Sequence, residues 1–361
     1  MATLLEYKCP SCGGALSFDS DVQKLKCPYC NTTLTVEALR EMDESLQQEQ
    51  PKDITWQQQP QSQWDAAEEE NLRSFVCQSC GGEILTDATT AATHCPYCDN
   101  PVVVTQRLAG SLKPDLVVPF KLDKEAAMAA LEKHLKGKRL LPKTFKTQNH
   151  IEKLQGVYVP FWLFDTQVDA DIRYRGTRVH NWSDSNYYYT RTSYFSLLRS
   201  GTMGFAKVPV DGSSKMDNSL MESIEPYDMT QAVDFQTAYL AGYLADKFDV
   251  EADDCKTRAN DRIRSSTESF FASTTAGYLS VMPERSNIRY RDSQVRYALL
   301  PVWMLTTRYQ DKTYTFAMNG QTGKMVGNLP ICWRSFFTYL LSIGLSCGLL
   351  ISLIAWLGNL G

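Results

Sequence analysis

The chain has 361 residues, 43% of them hydrophobic and 22% charged, with a formal net charge of −4. That length accommodates several domains, and the charge is unevenly spread: residues 1–108 hold 7 basic against 16 acidic side chains. A front segment at −9 repels phosphate, which argues against it as a reader of nucleic acid.

Two four-cysteine clusters occupy that acidic segment. Cys9, Cys12, Cys27 and Cys30 form one, Cys77, Cys80, Cys95 and Cys98 the other, and both read C-x2-C-x14-C-x2-C. The flanks repeat as well, with CPSCGGAL and CPYCNT in the first copy and CQSCGGEI and CPYCDN in the second. Cysteines two residues apart can turn their sulfurs toward one point, and the pairs Gly13-Gly14 and Gly81-Gly82 let the backbone fold tightly there. Two such knuckles make a closed tetrahedral thiolate shell, so the spacing predicts two zinc ions, one per zinc ribbon, with no position left for a catalytic water. Modules this small bury little apolar surface, so metal supplies much of their folding free energy. Disulfides would need an oxidising compartment, and the opening MATLLEYKCPSC has no secretory leader pattern. A redox C-x-x-C is expected singly beside a strand-helix-strand unit. Iron on four thiolates is the remaining alternative to zinc. Cys255, Cys332 and Cys347 have no partner at ligand spacing and read as ordinary thiols.

Between the ribbons, residues 41–74 are rich in Gln, Glu and Asp and interrupted by Pro51 and Pro60, the composition of a polar linker. Trp56 and Trp64 do not suit a fully solvated segment and are expected to dock. From about residue 109 to 332 the composition is that of an α+β body, with 30 basic and 25 acidic residues following residue 108. A duplication is expected inside it. Val159-Pro160-Phe161-Trp162-Leu163-Phe164 recurs as Leu300-Pro301-Val302-Trp303-Met304-Leu305, and Leu122-Asp123-Lys124-Glu125-Ala126 as Phe248-Asp249-Val250-Glu251-Ala252. Each Asp stands where a helix N-cap would be, so the unit reads as a helix followed by two or three antiparallel strands, used twice. Residues 168–210 alternate polar with aromatic or β-branched side chains, a strand signal. Asn319-Gly320 marks a hairpin turn, and Gly320 to Lys324 lacks the spacing of a phosphate loop.

From Ser335 to Leu357 runs an uncharged stretch of 23 residues. At 1.5 Å per residue it spans about 34 Å, enough to cross a bilayer core of about 30 Å. Its Leu, Ile and Phe residues contribute on the order of −5 kcal/mol to insertion. Residues 333–361 are therefore expected to be a single-pass transmembrane anchor. Lys324 and Arg334 precede the span and no basic residue follows it, which places the N-terminal bulk in the cytoplasm. Gly344, Gly348 and Ser352 share a helix face that permits pairing with another membrane helix.

The ordinary catalytic motifs are missing. There is no H-E-x-x-H, G-x-S-x-G or G-x-G-x-x-G, and His134, His150 and His180 lie far apart while His94 stands beside a cluster already complete with four cysteines. A nucleic-acid surface would have to come from Arg173, Arg175, Arg178, Arg191 and Arg199, which interleave with tyrosines, though a sheet face carrying Arg accounts for the same pattern.

The paired ribbons, the segment Thr90-Ala91-Ala92-Thr93-His94-Cys95-Pro96-Tyr97-Cys98, the string Gly156-Val157-Tyr158-Val159-Pro160-Phe161-Trp162 and the string Tyr239-Leu240-Ala241-Gly242-Tyr243 together resemble the bacterial transcription factor IIB-type zinc ribbon-containing membrane proteins. The resemblance runs from Cys9 to the apolar segment. It implies a membrane-anchored zinc protein working beside phage-shock-protein-A-like and SPFH-domain partners in envelope stress. The helicase label sometimes given to such proteins finds no support in these residues. The expected fold is thus multidomain: zinc ribbon 1 at 1–40, linker at 41–74, zinc ribbon 2 at 75–108, body at 109–332 and anchor at 333–361. The expected function is a non-enzymatic adaptor that organises protein partners at the membrane. The alternatives are a membrane-tethered nucleic-acid or transcription protein, or an enzyme whose site is assembled from distant residues.

Overall fold

The computed structural model describes residues 9, 16–19, 22–37, 55–58, 64–65, 68–69, 71–87, 94–100, 102–106, 112–142, 153–310 and 312–358, with side chains omitted at 103–106, 308 and 353–358. Most of the linker expected at 41–74, together with Cys12, Gly13, Gly14 and His150, lies outside them. The chain divides into two compact units. The first comprises residues 1–59, 163–210 and 253–295, the second 60–162, 211–252 and 296–361.

In the first unit, β1 (Ser17–Asp19), β2 (Lys24–Lys26) and β3 (Thr33–Leu34) form a small antiparallel sheet, with Leu25 paired to Phe18 on one side and Leu34 on the other. Gln57 and Gln58 form β4, which runs parallel to Gln294 and Val295. The preceding Trp56 is buried, packs edge-on to Phe164 at 4.9 Å and donates to Asn260 Oδ1 at 3.2 Å. The segment after the first cysteine cluster is thereby tied down by its tryptophan. Three long strands supply much of this unit: the later residues of β9 (Gln155–Ser183), its neighbour β10 (Tyr188–Asp211), and the early residues of β13 (Ser280–Tyr309). The 22-residue helix α3 (Ala252–Ser273) packs by a regular stripe, with Cys255, Ala259, Ile263, Thr267 and Phe271 all buried at four-residue spacing. Tyr174 reaches that helix and donates to the Glu268 carbonyl at 2.6 Å.

The second unit contains β5 (Leu72–Val76), β6 (Glu83–Asp87), β7 (Val103–Gln106), β8 (Leu116–Val117), β11 (Val233–Asp234), β12 (Leu244–Asp246) and the hairpin of β14 (Lys312–Asn319) with β15 (Met325–Gly327). The strand order runs β11-β8-β13-β9-β12-β6-β5-β7, and β14 pairs with β13. Helix α1 (Lys124–Leu135) starts where the sequence predicts it: Asp123 is the N-cap and its carboxylate accepts the Ala126 N–H at 2.8 Å. Ala127, Leu131 and Leu135 then fall on one face and join Trp303, Leu305, Phe316 and Met318 in a buried core. A short helix α2 (Asn218–Ser223) follows β10, and α4 (Trp333–Gly358) closes the described chain. The Asn-Gly hairpin forms as expected, with Asn319 N–H donating to the Lys324 carbonyl at 3.0 Å and Gly323 at φ 73.

One arrangement occurs twice within this unit. Trp303 Nε1 donates to the Leu122 carbonyl at 3.0 Å, and Trp162 Nε1 donates to the Val250 carbonyl at 2.9 Å. Gly320 N–H donates to the Pro301 carbonyl and Gly212 N–H to the Pro160 carbonyl, both at 2.9 Å. The Gly320 carbonyl accepts from Lys121 and Leu122, the Gly212 carbonyl from Asp249 and Val250. β8 runs parallel to β13 with Leu116 opposite Ala298, as β12 runs parallel to β9 with Leu244 opposite Val157. These bonds make Leu122 the counterpart of Val250, two positions beyond the Phe248 that string similarity paired with it. Asp249 is accordingly not the cap of α3. Its carboxylate accepts the backbone N–H and the hydroxyl of Ser214, both at 2.6 Å.

Candidate metal centre

Three of the four cysteine knuckles lie in the described residues, and they share one backbone path. The first cysteine's N–H donates to the carbonyl five residues on (Cys27 to Thr32 at 2.9 Å, Cys77 to Gly82 at 2.9 Å, Cys95 to Asn100 at 2.8 Å). Its carbonyl accepts from the residue four on, which is Asn31, Gly81 or Asp99, each with positive φ. Only Gly, Asn and Asp adopt that conformation readily, so one backbone requirement is met by three residue types. Gly82 answers a different need: a Cβ there would meet the Tyr97 ring at 3.2 Å.

This path gathers the sulfurs. Those of Cys77, Cys80, Cys95 and Cys98 all lie within 4.8 Å of one another. Cys77 to Cys98 is 3.5 Å and Cys80 to Cys95 is 3.6 Å. A tetrahedral metal with sulfur at about 2.3 Å needs sulfurs about 3.8 Å apart, so the group can hold such an ion. In the first cluster Cys9, Cys27 and Cys30 meet the same 4.8 Å limit, with Cys9 and Cys30 at 3.5 Å. The fourth expected ligand, Cys12, is outside the described residues.

The surroundings suit negative sulfur. Asn100 Nδ2 donates to Cys98 Sγ at 3.3 Å and to Ser79 Oγ at 2.7 Å, and Thr32 Oγ1 stands 3.0 Å from Cys30 Sγ. Burial raises Cys77, but the N–H groups of Cys80 and Ser79 and the neighbouring sulfurs outweigh it and bring the thiol down to about 7. Burial pushes Cys80 and Cys95 up, and the charge of Cys80 adds to the rise at Cys95. A bound cation reverses that ordering by turning mutual repulsion among thiolates into attraction to the metal. The exposed His94 is not among the four clustered ligands.

The second cluster is built into the second unit. β6 pairs antiparallel with β12, Leu85 opposite Ala245 and Ile84 opposite Asp246. Thr306 Oγ1 donates to the Pro96 carbonyl at 2.6 Å, between two ligands, and Lys153 pairs with Asp99 at 3.0 Å. Lys247 holds Glu83, also at 3.0 Å. These contacts tie the second cluster to residues of the same unit on both sides of residue 108. Sequence gives no signal for Thr306, which lies 210 positions from Pro96.

Several other residues singled out by sequence have local partners. Arg175 pairs with Glu284 at 3.7 Å. Arg178 donates to the Gly277 carbonyl and lies over the rings of Tyr278 and Phe195, and Arg199 donates to Thr274. At the β9–β10 turn, His180, Trp182 and Tyr189 stack in sequence, and Trp182, Tyr187 and Tyr188 are exposed. Cys255 is buried on α3, and Cys347 is exposed on α4. Trp64 packs edge-on to Phe235 at 5.7 Å. Helix α4 is long and apolar enough to cross a membrane, and its Trp333–Ser352 window has none of its residues buried. A Cβ added at Gly344 or Gly348 would meet no neighbouring side chain or other element within 4 Å.

Over 330 residues, 91% of each chain, the sequence is 36% identical to the uncharacterized protein YdjG of Bacillus subtilis (strain 168). The chain belongs to the YdjG family. No family model matches it. No solved structure matches it either.

Proposed function

We propose that this YdjG-family protein is a non-enzymatic adaptor, held in the cytoplasmic membrane by α4, in which two structural zinc ions brace the surfaces offered to protein partners. The observation that carries the reading is the cluster of Cys77, Cys80, Cys95 and Cys98, whose sulfurs are spaced to fill a tetrahedral shell and leave no ligand position for substrate or water. Four thiolates, knuckles of one backbone form and N–H donors to sulfur support zinc ribbons of the transcription factor IIB type. The uncovered apolar surface of α4 supports the membrane anchor, and the basic residues Lys324 and Arg334 before it support a cytoplasmic bulk. The crossed hydrogen bonds of Trp162 and Trp303 support an internal duplication of the body.

A membrane-tethered nucleic-acid protein is the weaker reading, because Arg175, Arg178 and Arg199 are engaged with their own neighbours and residues 1–108 are acidic. The exposed rings of Trp182, Tyr187 and Tyr188 at the β9–β10 turn suit a protein interface, where such side chains anchor binding. The resemblance points to phage-shock-protein-A-like or SPFH-domain partners in envelope stress. The test is chemical cross-linking in intact cells followed by capture of the full chain in detergent. Enrichment of one membrane-associated protein, lost on Trp182→Ala with Tyr188→Ala, is the expected result. Salt-sensitive retention of DNA with no protein enriched would replace the adaptor with the nucleic-acid reading.

A further inference from the structure

In the first unit β9 runs between β10 and the early part of β13, so each of those two strands turns one side away from the sheet. The two outer edges differ. Before Gln294, where β4 takes up pairing, β13 is guarded in three ways: Pro283 offers no N–H, Asp292 interrupts the pleat at φ 50, and Glu284, Arg285, Arg289 and Arg291 charge the strand. From Tyr188 to Ala206, β10 is without such guards. That stretch holds no proline and no acidic residue, its charged side chains are Arg191 and Arg199, and positive φ appears only afterwards, at Lys207. Among the described residues, β9 is the strand that pairs with β10.

The hairpin turn fixes which backbone groups face outward. Asp184 N–H donates to the Tyr187 carbonyl at 3.0 Å, which makes those residues a hydrogen-bonded pair. Such pairs alternate with non-hydrogen-bonded ones along antiparallel strands, so odd-numbered residues of β10 bond to β9 and even-numbered ones present N–H and C=O to the outside. Thr202 Oγ1, donating to Asp169 Oδ1 at 2.8 Å, keeps that register farther along. The Leu198 carbonyl agrees with it: turned from β9, it accepts the Arg199 guanidinium at 2.8 Å and has a second lone pair for a strand N–H. On this edge the side chains of Tyr194 and Leu198 are 39% and 53% exposed.

We propose that β10 pairs antiparallel with β10 of a second copy of this chain, about a two-fold axis at Ser196. Tyr194 then faces Leu198 of the second copy, Phe195 faces Leu197, Thr190 faces Thr202 and Thr192 faces Ser200. Arg191 faces Gly201 and Arg199 faces Ser193, so each guanidinium meets a small residue and no like charges oppose each other. An axis at Phe195 would instead set Arg191 against Arg199 twice. Residues 190–202 give a shared edge about 40 Å long, and its apolar and hydroxyl pairs contribute about 0.2–1 kcal/mol each besides the backbone bonds. The contact is isologous and closes with two copies, and the rings of Trp182 and Tyr187 lie beyond its end.

The test weighs the full chain in neutral detergent by analytical ultracentrifugation over a dilution series. Two copies per particle are expected. Ser200→Pro deletes an outward N–H at both ends of the contact and no bond to β9, and should weaken pairing at least about tenfold. Thr192→Lys with Ser200→Lys sets like charges opposite each other and should also weaken it, whereas Thr192→Lys with Ser200→Glu sets opposite charges there and should keep two copies. These charge variants decide the matter should Ser200→Pro misfold. A chain that is single at every concentration overturns the proposal, and equal loss in both charge variants overturns the register. Pairing unchanged in Ser200→Pro and in the two-lysine variant overturns the site and moves the contact elsewhere, to α4 among other places.

Discussion

The Thr306 hydroxyl donates to the Pro96 carbonyl at 2.6 Å, and both groups are buried at the foot of the second cysteine cluster. Thr306 stands on β13 and Pro96 lies between two metal ligands, so a hydrogen bond across 210 positions of sequence joins the knuckle to the unit's central sheet. Thr306→Val keeps the shape and leaves the carbonyl unsatisfied. The expected cost is about 1–3 kcal/mol, read as a lower denaturation midpoint of the full chain in detergent, with metal content unchanged.

Metal content itself separates the two clusters. Two zinc ions per chain are expected by elemental analysis, falling to one in either Cys27→Ser or Cys95→Ser. Because β6 pairs with β12, Cys95→Ser should also lower the stability of the second unit, while Cys27→Ser should spare it. Equal effects of the two variants on that unit, or iron in place of zinc, would contradict the assignment.

Asp246 is buried and accepts the Ser213 hydroxyl at 2.7 Å. Burial pushes its carboxyl up to about 7. An acid whose folded value lies above its unfolded one is favoured by folding in its protonated form. Its contribution is therefore full below about pH 4, declines as pH rises, and is lost above about pH 7, a change on the order of a few kcal/mol. Asp115, also raised by burial, adds in the same direction. Denaturation midpoints measured from pH 5 to 8 should fall with pH, and Asp246→Asn, which keeps the acceptor for Ser213, should flatten the slope.

The membrane reading has its own test. The full chain should remain in the pellet after carbonate extraction, and a chain ending at Pro330 should not. Protease added outside intact cells should leave the cysteine clusters untouched; their removal would reverse the orientation drawn from Lys324 and Arg334.

Features written in short stretches of chain were legible in the amino-acid order. Cysteines two residues apart define a knuckle because its hydrogen bonds close over five residues. Asp123 caps α1 through a bond three residues long, and the apolar run of α4 needs no partner to be recognised. Trp56 and Trp64 showed by composition alone that they would dock, though not on what. Tertiary structure decided the rest. It joined the second cluster to β12, paired Trp162 with Val250 and Trp303 with Leu122 across 88 and 181 positions, and moved Asp249 from an expected helix cap to the Ser214 loop. It also brought α1, the α2 segment and the β14–β15 hairpin together around one cleft. Contacts of that separation leave no periodic trace, since either residue alone satisfies its local strand or turn. Only chain closure brings the donor to its acceptor.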